Sequence, residues 1–105
     1  DARRCLSYLT IEHRGELPKG LGAAMGGCFY GCDRCAEACP WNKKAMAATC
    51  GDFLPRRAIA DMKPADWAAL TVEQYRALFK GSAAQRAKYE GLMRNIRLLR
   101  DAAEE

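Results

Sequence analysis

Four cysteines close together in the first half of the chain determine the chemistry it could perform. They are Cys28, Cys32, Cys35 and Cys39, and Pro40 directly follows the last of them. Thiolates bind iron and zinc. The spacing from Cys32 to Pro40 matches the second half of the C-x2-C-x2-C-x3-C-P run that holds iron–sulfur clusters in bacterial ferredoxins. The segment therefore predicts an iron–sulfur site.

The first cysteine of that run is missing. Phe29 occupies its position, and Cys28 lies one residue out of register. Because iron–sulfur cubanes take four thiolates, a cluster bound by Cys32 and Cys35 needs two more ligands. Cys5, near the start of the first predicted helix, is the nearest candidate upstream.

Cys39 has a different expected role. The last cysteine of such a run binds the neighbouring cluster in two-cluster ferredoxins. For a second cluster only Cys28 and Cys50 are left, which is too few. Either the chain binds one cluster imperfectly, or further ligands lie on residues outside it.

Two other uses of the cysteines stay open. A structural zinc site commonly uses two C-x2-C pairs, but this chain has one such pair and a C-P tail that is not typical of zinc sites. Six cysteines could also form three disulfides, as in small secreted domains. The close spacing and the absence of a signal-like start argue against disulfides.

Bulk composition fits a small intracellular domain or a piece of a larger protein. The chain has 105 residues and a formal net charge of +4, which permits an anionic partner without requiring one. No apolar run approaches the roughly 20 residues needed to cross a bilayer. We therefore expect a cytoplasmic location and no membrane association. The chain begins without Met, and we expect a fragment.

The elements that carry these residues are predicted to be helices, and no segment shows convincing strand alternation. A helix is expected over residues 2–12, a helical turn over 20–26 and a loose connection over 43–54. The composition changes at Pro55, where cysteine disappears. Three further helices are predicted. The first covers residues 64–70 and begins at Pro64, and the second begins at a capping box formed by Thr71 and Gln74. The third begins at a second capping box, formed by Ser82 and Gln85, and runs to about residue 103.

Several blocks of the sequence resemble the epoxyqueuosine reductases. They are residues 4–12, Gly15 with Pro18, Met25-Gly26, residues 30–35, Cys39-Pro40-Trp41-Asn42, Phe79 to Arg86 and Gly91-Leu92-Met93-Arg94-Asn95. The resemblance extends over nearly the whole chain. It departs at Cys28 and Cys50, which match no ligand of the family and are interpreted as buried or free thiols, and at residues 96–101.

The resemblance implies a fold and a function. It implies a mostly α chain, with a ferredoxin-like cluster-binding segment over residues 1–54 and the start of a HEAT-like helical-repeat region over 55–105. The family uses cobalamin and two 4Fe–4S clusters to reduce epoxyqueuosine to queuosine in the tRNA anticodon. The resemblance assigns Cys5, Cys32 and Cys35 to one cluster and Cys39 to the other.

This chain would then be the electron-relay part of the enzyme, an oxidoreductase, and a carboxy-terminal fragment of it. The cobalamin domain and the remaining cluster ligands would lie outside the chain, so the fragment alone would be inactive. We also expect an external electron donor, binding to the anticodon region of tRNA, and a monomeric protein. The alternatives are a stand-alone ferredoxin-like electron carrier and a zinc-stabilised binding module.

Other polar residues have weaker signals. His13 is predicted to be an exposed loop residue, and no acid–base catalyst is assigned. Basic residues gather on the last helix, which is either a solvated face or a surface that contacts tRNA phosphates. They are Arg86, Lys88, Arg94, Arg97 and Arg100.

Overall fold

The computed structural model describes residues 1–54 and 56–104 of the chain, and every regular element in that part is helical. The α-helices are α1 (Leu6–Ile11), α2 (Leu21–Ala24), α3 (Arg34–Ala38), α4 (Arg57–Ala60), α5 (Pro64–Ala68), α6 (Val72–Leu78) and α7 (Lys88–Glu104). Short 3-10 helices cover Ala2–Arg4, Pro40–Lys44, Gly51–Phe53 and Ala83–Ala87. The prediction of a mostly helical chain is confirmed.

The core forms where α6 and α7 meet. Leu92 and Ile96, one turn apart on α7, are buried together with Leu70, Tyr75 and Phe79. Burial of apolar surface of this kind is the main favourable term in folding. Leu92 and Ile96 therefore mark the face of α7 that packs on the core.

Aromatic rings extend this core towards the cysteine segment. Trp67 lies between Phe29 and Phe79, with ring centroids 5.0 Å and 6.1 Å away. Offset and tilted contacts at such distances are the favourable arrangements for aromatic pairs. The residue at the position of the missing cysteine, Phe29, thus belongs to the core.

The capping box at the start of α6 is confirmed. The Gln74 N–H donates to Thr71 Oγ1 at 3.2 Å, and the Thr71 N–H donates to Gln74 Oε1 at 3.0 Å. The second predicted box is wrong, because Ser82 Oγ accepts from the Ala84 N–H at 3.1 Å and opens a 3-10 helix. The last helix begins only at Lys88, whose φ of 62° interrupts the helical path.

The helix predicted over residues 2–12 is divided at Cys5. The Asp1 carboxylate accepts from the Arg3 N–H and caps a short 3-10 turn. Cys5 is then extended, with φ −75° and ψ 129°, and α1 begins after it. The predicted turn over 20–26 is observed as α2 (Leu21–Ala24).

Helix α2 packs directly on the backbone of α7. A Cβ placed on Gly22 would clash with the carbonyl group of Leu98. Glycine therefore permits the close approach of the two helices. This contact joins the first part of the chain to the last helix.

The buried amide of Asn95 makes a second connection between the first part of the chain and the last helix. Asn95 is 0% exposed, and its Nδ2 donates to the carbonyl oxygens of Thr10 and Phe29, both at 2.9 Å. Arg94 Nε donates to Asn95 Oδ1 at 3.1 Å, so the amide oxygen also has a partner. One side chain of α7 thus fixes α1 and the start of the cysteine segment.

Arg94 closes the end of α1. Its guanidinium donates to the carbonyl oxygens of Leu9, His13 and Gly15 at 2.8–2.9 Å. The last carbonyl groups of a helix have no partner within the helix, so Arg94 supplies what α1 lacks. Burial, and after it the charge of Arg14, lower the pKa of Arg94.

The predicted boundary between two segments is not tested by these contacts. Pro55, where the second segment was predicted to begin, and Glu105, where it ends, lie outside the described residues. The division stays a prediction, although α7 packs on both α1 and α2. A search of the described residues finds no helix with the length and apolar character needed to cross a bilayer.

Replacing Asn95 by Ala should lower the free energy of unfolding by about 2–3 kcal/mol, because two backbone carbonyl groups lose their partner in a buried site. Chemical denaturation of the protein that carries this chain measures the loss. Gln85→Ala removes an exposed amide and should change stability by less than about 0.5 kcal/mol. Equal losses in the two variants would contradict the role of Asn95.

Candidate metal centre

The predicted ligands lie at the ends of two short helices. Cys5 is the residue before α1, Cys32 lies in the irregular segment before α3, Cys35 is within α3 and Cys39 is the residue after it. All of these thiols are free. Cys5 and Cys35 are exposed, and Cys32 and Cys39 are half-buried, so the thiols lie at the surface.

Two hydroxyl groups of α1 bind the backbone that leads to α3. The Cys32 N–H donates to Ser7 Oγ at 3.0 Å, and the Ser7 hydroxyl lies 3.2 Å from the Cys32 carbonyl oxygen. The Gly31 N–H donates to Thr10 Oγ1 at 2.9 Å. Since Ser7 follows Cys5 by two residues, these bonds hold the Cys5 end of α1 beside Cys32.

The segment after α3 turns sharply at Pro40. Helix α3 ends at Ala38, Cys39 is extended with φ −72° and ψ 122°, and Pro40 opens a 3-10 turn. Asn42 Nδ2 donates to the Ala36 carbonyl oxygen at 3.0 Å and fastens this turn to α3. The backbone at Cys39 therefore leaves the helical path, while the turn after it stays fastened to α3.

The donors fit an iron–sulfur cluster in kind, because they are free surface thiols at ferredoxin-like spacing. Their side chains are not assembled. Within residues 1–54 and 56–104, no three His, Cys, Asp or Glu side chains are grouped as a metal site. The assignment of Cys5, Cys32 and Cys35 to one cluster and of Cys39 to another therefore stays a prediction.

The two remaining cysteines lie in different surroundings. Cys28 is half-buried, and its N–H donates to the Met25 carbonyl oxygen at 3.0 Å. Cys50 is exposed at the end of an extended stretch. Neither thiol forms a disulfide, and their interpretation as buried or free thiols stays a prediction.

Three large apolar side chains that follow Cys39 in the chain are exposed. Trp41, Met46 and Leu54 are 83%, 91% and 73% exposed. They are separated along the chain, and single apolar side chains at a surface are normal.

The basic residues predicted on the last helix separate into two groups, and Arg86 lies before that helix, in the 3-10 helix Ala83–Ala87. Arg94 is engaged with backbone carbonyl groups, and Arg86 pairs with Glu12 at 2.9 Å. The hydrogen bond from Arg86 lowers the pKa of Glu12. Lys88, Arg97 and Arg100 are exposed. Lys88 and Arg97 line one cleft, whereas Arg100 lines an apolar groove elsewhere.

His13 differs from its prediction as an exposed residue. Its ring is half-buried, lies edge-on to Tyr8 at 6.2 Å and places Nε2 3.1 Å from the Glu16 carbonyl oxygen. These contacts give it a packing role.

Sequence reasoning missed Ser7, Thr10 and Asn95 as residues that position the cysteine segment. All three lie inside the blocks on which the family resemblance depends. Their types alone indicate nothing, since Ser, Thr and Asn are common in loops and caps. Only the contacts of α1 with the cysteine segment and with α7 reveal their roles.

Replacing Ser7 by Ala should weaken the iron–sulfur site, because the Cys32 N–H loses its acceptor. A lost hydrogen bond of about 1 kcal/mol corresponds to roughly fivefold faster loss of iron and labile sulfide from the anaerobic protein. Ser7→Thr keeps the hydroxyl and should retain iron as the wild type does. Wild-type retention in the Ala variant would contradict this role.

Comparison with known proteins agrees with the cysteine pattern. Residues 1–42 match the family described as a 4Fe-4S double cluster binding domain. No solved structure matches the chain significantly.

Three curated relatives illustrate the wider match, and each is named epoxyqueuosine reductase. The protein of Burkholderia pseudomallei is 44% identical over 91% of this chain and 24% of its own length. Those of Pseudomonas aeruginosa and Escherichia coli are each 41% identical over 91% of this chain, covering 27% and 25% of their own lengths. The chain spans about a quarter of the length of these relatives. Nearly the whole chain is thus similar in sequence to a segment of these three proteins.

Proposed function

We propose that this chain is the electron-relay part of an epoxyqueuosine reductase, which converts epoxyqueuosine to queuosine in tRNA. The observation that carries the proposal is the coincidence of two matches. Residues 1–42 match a double-cluster domain, and relatives named epoxyqueuosine reductase match over 91% or more of the chain. The activity belongs to the longer protein and requires parts that this chain does not contain.

The cluster ligands in this proposal are those that the family resemblance implies, and the cysteine count requires further ligands outside the chain. Two 4Fe–4S clusters need about eight thiolates, and the chain has six cysteines. In our proposal Cys5, Cys32 and Cys35 bind one cluster and Cys39 binds the other, with the remaining ligands on a polypeptide outside the chain. Once bound there, the clusters supply one-electron transfer.

The rest of the chain has a positioning role in this proposal. Ser7 and Thr10 hold the backbone at Gly31 and Cys32. In this proposal the ligand-bearing polypeptide packs over Trp41, which is exposed and follows Cys39 by two residues. This packing would keep water away from the Cys39 thiolate, and solvent exposure is one of the factors that set cluster potentials.

The finer features of fold and partners belong to the same proposal. The first segment would be a partial ferredoxin-like domain, and α5, α6 and α7 would begin a HEAT-like repeat region. Cobalamin would bind mainly outside the chain, tRNA would be bound through its anticodon region, and an external donor would supply electrons. We propose a monomeric, cytoplasmic enzyme.

The decisive experiment compares cysteine variants of the full-length protein, reconstituted anaerobically. The wild type should contain roughly eight iron atoms with matching labile sulfide and should reduce epoxyqueuosine in tRNA. Cys35→Ser and Cys39→Ser should each lose one cluster, about four irons, because the two residues serve different clusters. Cys50→Ser is the matched control and should keep both clusters and full activity.

Other outcomes would overturn the proposal. One zinc and no labile sulfide in the anaerobic protein would favour a zinc-stabilised binding module. Two clusters held without any activity on epoxyqueuosine tRNA would favour a ferredoxin-like electron carrier. Loss of the same cluster in both the Cys35 and Cys39 variants would contradict the division of ligands.

A further inference from the structure

A cationic cleft lies where the turn at residues 13–16, which follows α1, meets the first turns of α7. Its volume is about 250 Å³, and four cations and two carboxylates line it. They are Arg14, Lys88, Arg94, Arg97, Glu16 and Glu90. No residue assigned to the metal centre lines this cleft.

Two of the cations are fixed in place by neutral groups. Arg94 donates to backbone carbonyl oxygens of the turn, and Arg14 donates to those of Arg86 at 2.8 Å and Ala87 at 3.2 Å. Carbonyl groups orient a guanidinium without cancelling its charge. The charge of Arg14 contributes to the lowered pKa of Arg94, and Glu16 opposes it only as a lesser influence. With four cations and two carboxylates in its lining, the cleft carries more positive than negative charge.

The other two cations are available to a ligand. Lys88 and Arg97 are exposed, and both line the cleft. They lie nine positions apart in α7, which is about two and a half turns of helix. Cations on flexible stems beside fixed guanidinium groups are suited to an anion that approaches from solvent.

Gly91 gives an independent indication of a ligand. It lies within α7 and lines the cleft, yet a Cβ there would meet only ordinary contacts, 3.9 Å from Arg14 Nη1 and 4.0 Å from Ala87 Cβ. Packing within the described chain thus does not require glycine, and glycine destabilises a helix interior relative to alanine. Close approach of a ligand to the backbone is a recognised reason for glycine.

We propose that this cleft binds a backbone phosphate of the tRNA substrate, with Lys88 and Arg97 in contact and Gly91 leaving room for the sugar-phosphate chain. The inference rests on the proposed function. RNA is favoured among anionic ligands because the proposed substrate is a tRNA, and because exposed cations in a cleft at the surface can be reached from solvent by the phosphates of a long polyanion. Backbone phosphates contribute much of the affinity of proteins for nucleic acids.

The test measures binding of full-length protein to the substrate tRNA at several salt concentrations. Arg97→Ala should weaken binding severalfold and reduce the slope of log affinity against log salt by about one. Arg100→Ala removes the same charge from the same helix, but Arg100 lines an apolar groove elsewhere. This control should retain most of the affinity.

Gly91→Ala separates ligand contact from a structural role. The melting temperature should stay the same or rise, because alanine favours helix, while tRNA binding weakens.

Wild-type binding in both Gly91→Ala and Arg97→Ala, or equal weakening in Arg100→Ala, would overturn the inference and leave the proposed function standing. Failure of the two-cluster wild type to bind any tRNA would overturn the proposed function as well. Polyglutamate is the competing probe. If it displaces the tRNA and no longer binds the Arg97→Ala variant, the cleft belongs to an acidic protein partner. That result would overturn the RNA assignment.

Discussion

The buried amide of Asn95 is the constraint on which the arrangement of this chain depends. A buried donor without a partner is costly, so the amide is compatible only with a fold that brings carbonyl groups to it. Those of Thr10 and Phe29 come from segments far apart in the sequence. Satisfying one side chain therefore fixes the relation of α1, α7 and the cysteine segment, and apolar packing alone would tolerate several such arrangements.

This constraint couples the metal centre to the second half of the chain. Thr10 accepts from the Gly31 N–H through its hydroxyl and from Asn95 through its carbonyl group, so it links α7 to the backbone before Cys32. Ser7 continues the link to Cys32 itself. The thiols lie at the surface, whereas the network that positions their backbone is buried or half-buried. A centre completed by outside ligands needs both features, an open face and a rigid support.

Local signals in the sequence predicted the elements that local chemistry controls. Pro64 begins α5, and Thr71 with Gln74 begins α6, because each cap is completed within a few residues. The same reasoning failed at Ser82, where the pattern of a capping box is present but the chain forms a 3-10 turn. Tertiary contacts decide that case, since Tyr75 donates to the Ala84 carbonyl oxygen in the turn and Arg14 donates to those of Arg86 and Ala87. The types and spacing of the cysteines were visible in the sequence, but the side chains that position them were not.

The basic residues of α7 show why charge pattern alone does not identify a binding surface. Arg94 and Arg97 are three positions apart and look equivalent in the sequence, as cations on one helix. The structure separates them, because Arg94 lies over the end of α1 with its donors occupied by carbonyl groups, whereas Arg97 is exposed. Removing Arg94 would release carbonyl groups of the fold as well as a charge, so its loss would weaken any ligand site on this face indirectly. Arg97 can report on a ligand directly, and the fixed charge of Arg94 beneath it strengthens the field that such a ligand meets.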